Sequence, residues 1–146
     1  MPRYFTLQQA ERLLPALKEQ IEQAITLKRE NQSAQKEIQR YNERVSRLGG
    51  VLIDRQELLR VRARMDATAM RLREVVESVQ QTGILVKDLD IGLVDFPTLL
   101  GGREVMLCWR LGEEAIRYWH GAEEGYRGRK EIDQDFLADH RGDPEI

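Results

Sequence analysis

Residues 54–83 read DRQELLRVRARMDATAMRLREVVESVQQTG, and the spacing of their apolar side chains decides the fold. Leu58, Val61, Met65, Thr68, Leu72, Val75 and Val79 recur in alternating steps of three and four. That period of about 3.5 is the seam of a coiled-coil-like helix. Asp54 is placed to cap the helix, Glu57 to complete a reciprocal capping box, and Ile53 to staple onto Leu58. Gly83 ends it. Towards the N-terminus, Gly49 and Gly50 suit a left-handed helix end, with Arg47 near the negative pole of the helix dipole. The helix they close begins where Thr6 and Gln9 form a second capping box. Pro15 inside it predicts a kink or a restart. Its apolar stripes are Leu17, Ile21, Ala24 and Ile25, then Ile38, Tyr41, Val45 and Leu48, with Lys28, Asn31 and Gln35 between them. This polar middle is either a face turned to water, the favoured reading, or a polar layer that sets register. Together the two helices make an antiparallel hairpin over residues 6–82, with apolar Val51 and Leu52 at its tip.

After Gly83 the pattern changes to short β-rich runs. Ile84–Asp88, Leu93–Phe96, Arg103–Arg110 and Ala115–Trp119 are the expected strands, punctuated by Gly92, Pro97, Gly101, Gly102 and Gly112. Such short connections require antiparallel neighbours. The run Val105–Trp109 is apolar on both faces, which predicts a central strand covered on both sides. One cover is the hairpin; the other is the segment after Tyr126 or a second subunit. The expectation is an α+β chain of one domain over residues 1–146. A long antiparallel helical hairpin packs on a small antiparallel sheet of about four strands, residues 84–120, and the extension 121–146 is partly flexible. Its tail from Glu131 carries six acidic residues and one basic residue, so weak order is expected there.

Composition narrows the function. The chain has 146 residues, 41% of them apolar, and no apolar run approaches the roughly 20 residues of a membrane span. The start lacks the pattern of a secretion signal, so a cytoplasmic protein is expected, with no membrane partner. Net charge is −2, which excludes a general polycation and makes nucleic acid a poor partner. The balance is uneven: residues 1–82 hold 15 basic and 11 acidic residues, whereas residues 83–146 hold 8 and 14. Head-to-tail association between chains would use that asymmetry. With Cys108 as the single cysteine and His120 and His140 as the two histidines, a Cys/His zinc centre has too few ligands.

Most chemical motifs fail. Asp88-Leu-Asp90-Ile-Gly92 places its glycine fifth and Leu99 twelfth, which is not a calcium loop. Gly125-Tyr-Arg-Gly-Arg-Lys130 lacks the ending of a phosphate loop, though Arg127, Arg129 and Lys130 remain a candidate anion site. Cys108 lies in an apolar run and reads as a small buried hydrophobe, although it would approach His120 if the last two strands pair. The remaining constellation is acidic, with Asp88, Asp90, Asp95, Glu104 and Glu113 at strand ends and turns, and His120 nearby. Asp95, Glu113 and His120 are the candidate acid–base residues, and Asp88, Asp90, Asp95 and His120 the candidate ligands of a divalent metal. No other cofactor is expected. The competing reading is a structural polar network in which Asp95, Glu113 and His120 pair with Arg103, Arg110, Arg117 or Arg129.

The ordered set Gly92-Leu-Val-Asp-Phe-Pro97, Cys108-Trp-Arg-Leu-Gly-Glu113, Tyr118-Trp-His120 and Gly125-Tyr-Arg-Gly-Arg129 resembles an uncharacterised bacterial family, domain of unknown function 2203. The opening Tyr4-Phe-Thr-Leu-Gln-Gln-Ala10 with Leu13-Leu-Pro15 is similar to the start of that family. The resemblance covers about residues 4–130 and implies no substrate, because the family has no established activity. It places Asp95, Trp109, Glu113, His120 and Arg129 in the motif-bearing half. Two functions follow as expectations: an interaction or scaffold module that self-associates through Leu58, Met65, Leu72 and Val79 of the hairpin, or a small enzyme built on Asp95, Glu113 and His120.

Overall fold

A computed structural model describes residues 3–49 and 54–144. The turn contacts expected of Gly50, Val51, Leu52 and Ile53 lie outside the described residues. The elements are α1 (Leu7–Arg47), α2 (Arg55–Gln81), β1 (Leu85–Asp88), β2 (Leu93–Leu100), β3 (Arg103–Arg110), β4 (Tyr118–Gly121), β5 (Lys130–Glu131), α3 (Gln134–Asp139) and β6 (His140–Arg141), an α+β set. They form two compact units, one of Met1–Glu22 with Val76–Ile146 and one of Gln23–Val75.

The helical unit follows from its caps and its seam. Asp54 Oδ1 accepts the amides of Gln56 and Glu57 at 3.1 and 3.2 Å, so three polar groups close the first turn of α2. Leu58, Val61, Met65 and Leu72 are half-buried, while Thr68 and Val75 are buried. The polar middle corrects the expectation of a solvated face. Asn31 Nδ2 donates to the Met65 carbonyl at 2.8 Å and to Thr68 Oγ1 at 3.1 Å, and Gln35 Nε2 donates to Asn31 Oδ1 at 2.6 Å. Fully buried Ala24 and Ala34 flank this layer. Small residues let the two backbones approach closely enough for an amide to reach across to a carbonyl. Gln35 itself remains exposed.

In the other unit, Thr6 and Gln9 exchange hydrogen bonds at 2.9 and 3.1 Å and start α1 as a capping box. The helix runs through Pro15 without a restart. Pro15 is exposed, so its ring and the carbonyl it leaves without a donor sit on the hydrated side. Ala10, Leu14, Leu17 and Ile21 are buried at helical spacing and form the face that meets the sheet. Phe5 packs edge-on to Phe96, with ring centroids 5.5 Å apart.

Among the described residues six strands form the sheet, in the order β1-β2-β3-β4-β5 with β6 on β2, rather than about four. Strand β3 is central, and Val105 to Trp109 are all buried, as their two-faced apolar pattern requires. Strand β2 continues past Phe96 because of how Pro97 is oriented. In a strand the nitrogen and carbonyl of one residue point to the same side. The Pro97 carbonyl accepts the Phe5 amide at 2.7 Å, so its missing donor faces away from β3 and no bond to that strand is lost. Strand β4 begins at Tyr118 rather than Ala115, since the Ile116 amide binds Glu11 Oε1 and the Arg117 carbonyl accepts the Ile132 amide.

The described part of the tail forms β5, α3 and β6. Asp133 caps α3 through the Phe136 amide at 2.8 Å, and Phe136, 3% exposed, packs on Trp119 and on His140. His140 Nε2 accepts the Leu7 amide at 3.0 Å, and the Asp143 amide donates to the Tyr4 carbonyl at 2.9 Å.

Gly92 and Gly49 both have φ +66°, but a Cβ at Gly92 would lie 2.5 Å from Leu111 Cβ, whereas nothing lies within 4 Å at Gly49. Gly49→Ala should cost about 1–2 kcal/mol from backbone strain alone. Gly92→Ala should cost about 1–3 kcal/mol more, because overpacking adds to that strain. Denaturant unfolding of the two variants measures the difference.

Candidate functional site

Register puts the chemistry on one face of the sheet. Asp95 on β2 stands opposite Cys108 on β3, and Met106 on β3 stands opposite His120 on β4. Side chains two apart on a strand share a face, so all four point the same way. The alternate residues Val94, Phe96, Leu107 and Trp109 point the other way and are buried. Asp95, Cys108 and His120 are 2%, 0% and 4% exposed, a degree of burial that a carboxylate tolerates only with partners.

The partners define the protonation. His120 Nδ1 lies 2.8 Å from the Gly121 carbonyl, and Nε2 lies 3.0 Å from Asp95 Oδ1. A carbonyl can only accept, so Nδ1 carries a hydrogen. Nε2 faces the Asp95 carboxylate, and a proton on either atom joins the two by a hydrogen bond. Burial pushes the Cys108 thiol up from 9.0 to about 12, the Asp95 charge and a hydrogen bond to Asp95 push the same way, and the Arg129 charge opposes them. Cys108 is therefore a neutral thiol, not a nucleophile.

Asp95 and His120 line a cavity of about 170 Å³ together with Leu93 and Met106, and Lys87, Ala122, Glu124, Gly125 and Tyr126 complete its lining. Glu124 shapes the loop over it. Its Oε1 accepts the Gly121 amide and Lys130 Nζ, each at 2.8 Å, and the Lys130 hydrogen bond, followed by the Gly121 one, lowers its carboxyl below the ordinary value. Clefts of about 530 and 800 Å³ border the helical unit, but their walls include exposed Arg40, Glu43, Arg44 and Arg62.

The other sequence candidates separate. Glu113 does not join Asp95 and His120. It accepts Arg129 Nη2 on both oxygens at 2.7 and 2.8 Å, and its Oε1 also accepts the Arg110 amide at 2.7 Å. Arg129 lies over the Tyr118 and Tyr126 rings, 4.1 and 4.7 Å from their centroids. Burial works against the Arg129 charge, but the Glu113 hydrogen bond and charge more than compensate, and its pKa is raised. The three proposed anion ligands are dispersed: Arg127 is exposed, Arg129 holds Glu113, and Lys130 holds Glu124 while lying over Trp119. Asp88 and Asp90 form an exposed turn through the Asp90 amide and Asp88 Oδ1, and neither lines the cavity. Glu104 is exposed at the far end of β3. The polar-network reading thus describes Glu113 with Arg129, whereas Asp95 and His120 pair with each other. Cys108 is the member that pattern reading alone assigned to the core. Its signal was topological, because pairing the last two strands brings it beside His120.

Among the described residues no helix is long and apolar enough to cross a membrane. A long and a shorter helix preceding an antiparallel sheet, with Asp95, Cys108 and His120 gathered on one face of that sheet, define an α+β protein with a polar site in its sheet unit. The family model described as "Uncharacterized conserved protein (DUF2203)" matches residues 3–132, and the chain belongs to that family. Compared with the curated proteins and with the solved structures, it shows no match.

Cys108 makes stability depend on pH at the alkaline end. Between pH 9.0 and about 12 the unfolded thiol ionises while the folded one does not, so its stabilising contribution is complete below 9 and is lost as pH rises towards 12. Denaturant unfolding from pH 8 upward should show that decline, reduced in Cys108→Ala. A disulfide reagent at pH 8 should label the unfolded chain and leave the folded one unlabelled.

Proposed function

We propose that the chain binds a small polar molecule in the cavity above Asp95 and His120 and exchanges a proton with it there. The observation that carries this reading is the buried Asp95–His120 pair, with Nε2 and Oδ1 3.0 Å apart, which lines a cavity large enough for a few non-hydrogen atoms. A buried ionisable pair is weak support for stability, since apolar replacements of similar volume often serve as well. A hydrogen-bonded carboxylate and imidazole beside an accessible cavity are what general acid–base chemistry uses. Glu113 acts from a distance by holding Arg129, not as a third proton carrier.

Acetate and imidazole are suitable probes, followed by amide chemical shifts in the labelled, metal-free protein. Shifts should concentrate at Ala122, Gly125 and Tyr126. His120→Gln should weaken binding about tenfold or more, as expected for loss of a charge-assisted hydrogen bond, and Met106→Trp should abolish it by filling the cavity. Shifts spread over the surface, or unchanged in both variants, would remove this reading.

A second reading is self-association through the helical unit. Leu59 and Met70 are each 65% exposed and, eleven residues apart, lie on one side of α2. The partner is a second copy of the chain, joined through that stripe rather than through Leu58, Met65, Leu72 and Val79, which are half-buried or buried. Sedimentation should then show a dimer that becomes monomeric in Leu59→Glu/Met70→Glu, and a monomeric wild type would end this reading.

A further inference from the structure

We propose that Asp95, Cys108 and His120 are the ligands of a zinc-class divalent ion, whose remaining position opens into the cavity. This inference rests on the preceding one for where a ligand sits, and it names the cofactor there. One carboxylate oxygen, the thiol sulfur and one imidazole nitrogen all lie within 4.8 Å of one another. Bonds of about 2.0–2.2 Å to nitrogen and oxygen and about 2.3 Å to sulfur place tetrahedral ligand atoms roughly 3.3–3.8 Å apart, so an ion fits with small movements of side chains. The three residues stand on three adjacent hydrogen-bonded strands, which holds them in place before any ion arrives.

A second observation points the same way. His120 Nδ1 donates to the Gly121 carbonyl at 2.8 Å, which directs Nε2 at the cluster. Metal-binding histidines characteristically have this outer hydrogen bond, because it sets the tautomer and orients the ring. The Glu113–Arg129 pair is nearby, and the Arg129 charge favours a Cys108 thiolate.

The exchange balances. Without an ion the cluster is neutral: a thiol, and a carboxylate–imidazole pair that together hold one shared proton. A divalent ion forms bonds to the sulfur, the Asp95 oxygen and His120 Nε2. It displaces the thiol proton and the shared proton to solvent, leaving one thiolate, one carboxylate and one neutral imidazole. Net charge of the buried site is zero before and after, so the ion enters without an uncompensated buried charge. A coordinating thiol is deprotonated by the ion itself, which overcomes the protection that burial gives the free thiol. Three protein ligands plus an open position is the pattern of a catalytic rather than a structural zinc site, and a water in that position would be the proton-handling group facing the cavity.

Cobalt(II), titrated into the chelator-stripped full chain, tests the assignment. One equivalent should bind, a thiolate-to-cobalt charge-transfer band should grow in the near ultraviolet, and zinc(II) should displace it. Cys108→Ser should abolish that band, and Asp95→Asn should weaken cobalt binding at least about 100-fold, since even outer partners are worth 10–100-fold. If the variants lose their fold by circular dichroism, the wild type still decides: zinc should raise its Tm and protect Cys108 from a disulfide reagent in mild denaturant. No charge-transfer band in the wild type, or the same band in a folded Cys108→Ser, overturns the proposal. The acetate and imidazole shifts are read in metal-free protein, so they stand or fall independently of this outcome.

Discussion

Antiparallel pairing of β2, β3 and β4 in a single register is the constraint on which the rest depends. Asp95 opposite Cys108, and Met106 opposite His120, puts polar and thiol groups on one face while Phe96, Leu107 and Trp109 go to the other. A slip of one residue would exchange the faces, burying Asp95 against α1 and exposing Trp109. The apolar face thereby enforces the polar one. Phe5, Leu17 and Ile21 gain from burial only when β2 and β3 present Val94, Phe96 and Leu107 to them.

The polar face is held by a different kind of interaction. His120, Glu124 and Glu113 each hold both an ionisable side chain and a backbone group. His120 bridges Asp95 and the Gly121 carbonyl, Glu124 gathers Gly121 and Lys130, and Glu113 gathers Arg129 and the Arg110 amide. These bonds converge on the loop from Gly121 to Arg129, which closes over the face without filling it. The resulting cavity is small, and among the described residues Asp95, Cys108 and His120 beside it are titratable groups both buried and close together.

Much of the architecture was legible in the pattern. The 3.5-residue seam, the Asp54 cap, the Thr6–Gln9 box and the two-faced apolar run at Val105–Trp109 are local signals, and local signals survive in the fold because nothing opposes them. Readings that failed depended on partners distant in sequence. Pro97 stops a strand only if its nitrogen faces a neighbour, and here it faces away from β3. Asn31 looks solvent-facing until Thr68 and the Met65 carbonyl are found across from it.

The site divides along the same line. Composition and spacing established an α+β chain, placed the chemistry after Gly83 and singled out Asp95 and His120, because residue types and periodicity are properties of short stretches. Pairing between strands decided that Cys108 joins them, that Glu113 turns instead to Arg129, and that Asp88, Asp90, Arg127 and Lys130 do not converge. Residues 13 and 12 positions apart become neighbours only through hydrogen bonding of three strands, and no stretch of sequence carries the register that brings them within one ion's reach.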